Sequence, residues 1–175
     1  MIEKLENFIE PIREITYKSE VLLDNVKRNA LKEFYTYMDK CDKSQDKIGQ
    51  SKLSIIDEDN YTETFYTENG IFEKRVQTLS YRPIPSIISY KGFITKEDTN
   101  GENSEIFVSI SCPQYKFKRG GFKGYVIESD GIQRVNQAKL SKDSNFPDLH
   151  ELMEEKYLEL KKEFSKENQE IEFEK

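Results

Sequence analysis

The chain predicts an α+β fold, an antiparallel meander of about six to eight strands flanked by a long N-terminal helix and a C-terminal helix. Three observations carry this. Apolar residues recur at intervals of three or four over the first part of the chain and again after Pro147. Between Ser51 and Asn136 threonines, aromatics and β-branched residues alternate, cut by the turn dipeptides Asn69-Gly70, Asn100-Gly101, Gly120-Gly121 and Asp130-Gly131. No helical pattern separates successive strands, so tight turns and antiparallel neighbours are expected. The 175 residues suit one domain with a real core, helical over 1–48, sheet over 51–136 and helical over 147–172.

In the first segment, Ile2, Leu5, Phe8, Ile9 and Ile12 form one stripe, and Leu23, Val26, Ala30, Phe34, Tyr37 and Cys41 form a second. Pro11 divides a short helix from a longer one that should end near Gly49. The aromatic run from Glu33 to Met38 reads as a core-facing seam. A helix of some 35 residues spans roughly 50 Å, more than a small sheet covers, which leaves part of its stripe for another protein or a second copy of the chain.

Strands are expected over Leu53–Asp57, Tyr61–Thr67, Ile71–Tyr81, Ser86–Thr95, Ile106–Cys112, Tyr115–Lys118, Phe122–Glu128 and Ile132–Val135. Asn69-Gly70 should occupy the centre of a hairpin turn, and Pro83 and Pro85 should stop pairing between the third and fourth strands. The closing helix opens on Asp148 with Glu151 three residues later, a capping arrangement, and carries Leu149, Met153, Tyr157, Leu160 and Phe164 on one stripe. A sheet with one apolar face needs a cover, so the terminal helices should pack on that face or on each other. The expected core includes Leu23, Val26, Phe34, Ile106, Val108, Ile110, Val126, Leu152 and Leu160.

Charge and chemistry narrow the function. With 33 acidic against 27 basic side chains the net charge is -6, so the chain as a whole is not built to coat nucleic acid or an anionic membrane. His150 is the only histidine, placed in the first turn of the last helix, where a surface or capping role is expected. Asp57, Glu58 and Asp59 read as a solvated turn, Cys41 and Cys112 as buried free thiols, and no phosphate-cradling glycine motif is present. The reading is therefore not an enzyme, with no cofactor and no metal. The opening MIEKLENFIEPIRE has no uninterrupted apolar core, which argues against a signal peptide or membrane span and for a cytoplasmic protein. The Lys-, Asn-, Ile- and Glu-rich composition suits an accessory protein of a phage or mobile element from an AT-rich genome.

One stretch concentrates positive charge. Residues 113–145 hold seven basic and three acidic side chains, whereas 146–175 hold five basic and ten acidic. The candidate ligand-binding residues are Lys116, Lys118, Arg119, Phe122, Lys123 and Tyr125, cations interleaved with aromatics around Gly120-Gly121. The preferred function is a non-enzymatic protein-binding module, an inhibitor, adaptor or assembly subunit, whose partner is another protein or a second copy held through the terminal helices. The alternative is binding of single-stranded nucleic acid or a phosphorylated small ligand through the basic hairpin 115–125.

Overall fold

The computed structural model describes residues 25–80, 86–97, 100–115, 119–128, 131–137, 148–165 and 169–173. The first stripe with Pro11, Leu23, Pro83, Pro85, Lys116, Phe117 and Lys118 lie outside these residues, as does the side chain of Val26.

Helix α1 spans Asn25–Lys43. Its buried positions Ala30, Leu31, Phe34, Tyr37, Met38 and Cys41 follow helical spacing, and Lys40 and Lys43 sit in the last turn, where the helix dipole favours cations. The helix stops before Gly49. A 3-10 turn, Gln45–Lys47, follows, and Gly49 then takes φ 94°, a left-handed conformation that favours glycine.

Seven strands follow in a meander: β1 Ser51–Asp57, β2 Asn60–Thr67, β3 Gly70–Thr78, β4 Ser86–Glu97, β5 Asn103–Gln114, β6 Phe122–Glu128 and β7 Gly131–Gln137. Each pairs antiparallel with the next. Helix α2 spans Leu149–Phe164, and Asp148 caps it by accepting the Glu151 N–H at 3.1 Å. The expected helix to residue 172 is corrected here. Ser165 turns extended, and Gln169–Phe173 forms β8, which lies parallel to β1 and makes the sheet order β7-β6-β5-β4-β3-β2-β1-β8. The eighth strand expected at Tyr115–Lys118 is not the one found. Among the described residues that loop contributes only an isolated bridge between Gln114 and Arg119.

The sheet has two apolar faces rather than one. Adjacent apolar residues split between them: Phe65, Phe72, Ile94, Ile106, Val108 and Val126 face α2, while Tyr66, Ile71, Phe93, Phe107 and Ile127 face α1. The helices therefore lie on opposite sides, because a strand with neighbouring apolar side chains buries both faces only between two covers. On the α1 side Phe34 and Tyr37 stack against Phe107 with ring centroids 5.0 and 4.7 Å away, so the aromatic seam is core. Of the expected core, Phe34, Ile106, Val108, Ile110, Val126 and Leu160 are buried, and Leu152 is partly buried against the α2-side cluster.

The β2–β3 turn falls one residue early. Thr67 pairs with Gly70, so Glu68 and Asn69 are the central residues. Gly70 is needed for a different reason: it adopts φ 126°, and a Cβ there would strike the Tyr37 hydroxyl, which donates to the Ile71 carbonyl at 2.8 Å. No helix among the described residues is long and apolar enough to cross a membrane.

Candidate functional site

The basic stretch divides. Arg119 directs its two terminal nitrogens at the two carboxylate oxygens of Asp148, at 2.9 and 2.5 Å, and lies 5.9 Å from the Phe122 ring centroid. That hydrogen bonding holds the Asp148 carboxyl below its ordinary range and raises Arg119. Phe122 is buried in the α2-side core, which closes its ring to a stacking base. Lys123 is exposed and Tyr125 half-buried, two residues apart on the face that looks towards α1. The stretch therefore contributes one residue to a helix cap, one to a core and two to a sheet face.

That face carries a cross-strand row of a different character from its neighbours. Thr62 pairs with Arg75, Arg75 with Ser89, Ser89 with Ser111, Ser111 with Lys123 and Lys123 with Asn136. These positions are all polar, and the row continues from Thr62 through Ser54 of β1 to the register position of Glu172 on β8. The next row holds Glu73, Lys91, Ser109 and Tyr125, where α1 supplies countercharges: Lys40 meets Glu73 at 3.1 Å, and Glu33 meets Lys91 at 3.0 Å and accepts from the Ser109 hydroxyl. A groove of about 350 Å³ runs beside these pairs.

A cleft of about 380 Å³ lies at the tip of the β2–β3 hairpin. Its apolar wall comes from Phe72, Ile94, Leu160 and Phe164, with Ile48 at the lip, 37% exposed. Glu68 from the hairpin and Glu163 from the last turn of α2 stand on the rim, both exposed and neither in an ion pair among the described residues. Lys156, the basic residue of the lining, is turned to Glu159 at 3.8 Å.

No protein-family model, curated protein or solved structure matches the chain.

Beneath α2 an ionic network ties the helix to the sheet. Glu63, 1% exposed, accepts from the Tyr157 hydroxyl at 2.6 Å and from Lys161 at 3.1 Å. Lys74, 8% exposed, reaches Glu154 at 3.2 Å and sits 4.1 Å from the Tyr157 ring centroid. Burial, then the bond to Glu63, pushes the Tyr157 phenol far up. His150 stands edge-on to Tyr90 with centroids 5.3 Å apart, and burial holds its imidazole down at about 4, so it is neutral at pH 7. Burial likewise pushes the Cys112 thiol up to about 11, leaving it protonated and unreactive. Glu63, Tyr157, Lys161, Lys74 and Glu154 are held by one another and tie α2 to the sheet.

Neither the cleft nor the polar row was named from sequence. The cleft gathers side chains from five separate segments, and the row takes one residue per strand. The available signal was register: counting outwards from each turn brings Arg75, Ser89, Ser111 and Lys123 into line.

Proposed function

We propose that this protein is a non-enzymatic protein-binding module that seats a basic, apolar-tipped segment of a partner protein in the cleft at the β2–β3 hairpin. The observation that carries the reading is the pairing of an apolar wall with two uncompensated carboxylates, Glu68 and Glu163, on its rim. A cleft of this size with one apolar wall takes an anchoring side chain, and the rim selects lysine or arginine beside it. The net charge of -6 extends the same preference to longer range by steering a basic partner towards the surface.

The test is selection from a random peptide library on immobilised protein. Expected sequences place an aromatic or aliphatic residue next to Lys or Arg, and their capture is lost with Ile48→Asp and weakened by added salt or by Glu68→Lys with Glu163→Lys. Enrichment of acidic peptides, or capture indifferent to these substitutions, overturns the reading.

A further inference from the structure

On the α1 side of the sheet, away from the cleft, the row Arg75–Ser89–Ser111–Lys123 spans four adjacent strands with all four side chains on one face. The Ser89 and Ser111 hydroxyls lie 2.9 Å apart. In such a pair one hydroxyl donates to the other, and the second keeps its O–H for an outside acceptor. Arg75 and Lys123 flank the pair, three interstrand spacings or about 14 Å apart at their Cα atoms, a span that an arginine and a lysine can each reach half across to a ligand seated over the hydroxyls.

The two cations of this row are not neutralised within the described fold. Lys40, Lys74, Lys91, Arg119 and Lys161 are each held by a carboxylate. Arg75 and Lys123 are exposed and make no ion pair among the described residues, in a chain with a surplus of acids. The four positions Arg75, Ser89, Ser111 and Lys123 include no carboxylate to repel an anion. Tyr125 stands opposite Ser109 in the next row on the same face, half-exposed and about 7–8 Å diagonally from Ser111.

We propose that this face binds a nucleotide, its phosphate ester over the Ser89–Ser111 pair between Arg75 and Lys123, and its planar base against the ring of Tyr125. Arginine matches two phosphate oxygens at once, lysine adds a point charge and the hydroxyl a directed donor. Aromatic rings accept any base by stacking, so the site recognises the phosphate–base pairing more than base identity. The occupant is a mononucleotide rather than a strand, because two cations flanking one hydroxyl pair make one phosphate position, not a track.

The experiment measures binding of AMP and of inorganic phosphate to the full chain by calorimetry, with an oligothymidylate as a third probe. AMP is expected to bind, and Arg75→Gln and Ser111→Ala are each expected to weaken it about tenfold, the effect of losing a charge-assisted or directed hydrogen bond. Tyr125→Leu should weaken AMP by a similar factor and leave phosphate unchanged. Unaltered thermal midpoints show that the variants fold. The proposal is overturned if AMP fails to bind at millimolar concentration, or if its affinity ignores Arg75→Gln and Ser111→Ala. It is also overturned if only the oligothymidylate binds, with a steep log-log salt slope of about -0.7 per phosphate contact, since that would make the face a nucleic-acid surface.

Discussion

Arg119 and Asp148 meet through two parallel hydrogen bonds, and the same Asp148 caps the first turn of α2. The loop before β6 is thereby fastened to the start of the helix that covers the sheet. The opposite charges of the two neighbouring segments thus come together at one well-defined contact.

Asp148→Ala removes both the cap and the pair and should cost about 1–2 kcal/mol, whereas Asp148→Asn keeps a capping oxygen and should cost less. The carboxyl is lowered in the folded state, so its contribution is full above the unfolded value near pH 4 and disappears as pH falls through the folded one. Urea unfolding at pH 7 and pH 3 should show the wild-type protein losing the difference that Asp148→Asn never had. Equal acid sensitivity of the two proteins would remove Asp148 as the source.

His150 acts in a neighbouring window. Burial is the largest cause of its lowered value of about 4, Arg119 and Lys74 push in the same direction, and Asp148 opposes them. The unfolded chain therefore takes up a proton near pH 6.5 that the folded chain refuses until about pH 4, so stability is full above 6.5 and declines as pH falls between the two. As the sole histidine, its ring protons give an unambiguous NMR titration. A midpoint near 6.5 in the folded protein would contradict the burial argument.

The Glu63–Tyr157 contact tests whether the ionic network is a scaffold. Tyr157→Phe leaves a buried carboxylate short of a donor and should cost about 1–3 kcal/mol, while Glu63→Met with Tyr157→Phe should cost less than the two single changes added together. Strict additivity in thermal unfolding would show that the two side chains do not act as a pair.

Two glycines separate packing from turn geometry. At Gly124 a Cβ would lie 2.7 Å from the Ile110 Cα and collide with the Ser109 backbone, whereas at Gly131 nothing stands within 4 Å. Gly124→Ala should prevent or severely weaken folding by forcing β5 and β6 apart, and Gly131→Ala should shift stability by less than about 0.5 kcal/mol. Circular dichroism melts of the two variants decide it, and similar midpoints would refute the register assigned to β5 and β6.

The meander was legible because its turns and alternation are local. The two-sided core was legible in principle, since pairs such as Phe65-Tyr66, Ile71-Phe72 and Phe93-Ile94 leave no polar face, but the Ser109 and Ser111 positions of β5 suggested one wet side. Those serines do face away from the α2-side core, on the polar part of the sheet. Lys123 and Tyr125 were picked out for charge beside an aromatic and do share a face, while Phe122 was picked out by the same rule and is core. Sequence proximity cannot tell which neighbour a strand turns inwards without the register of the next strand.

The strand at the end of the chain was hidden by its attachment to a helix. Ile171 and Phe173 alternate with Glu170 and Glu172 in the sequence, and their register partners on β1 are Leu53 and Ile55. Strand β8 covers the outer edge of β1, whose unpaired backbone groups would otherwise be a template for another chain. Ending the chain after Ser165 should therefore lower stability by on the order of 2–5 kcal/mol, the loss of several ladder hydrogen bonds, and should promote self-association through the bared edge. Ile171→Pro in the full-length chain, which removes one donor while keeping the length, should produce a weaker form of both effects. Thermal melts with sedimentation velocity measure the two together. A truncated protein that stays monomeric with an unchanged midpoint would mean that β8 contributes nothing to holding or shielding β1.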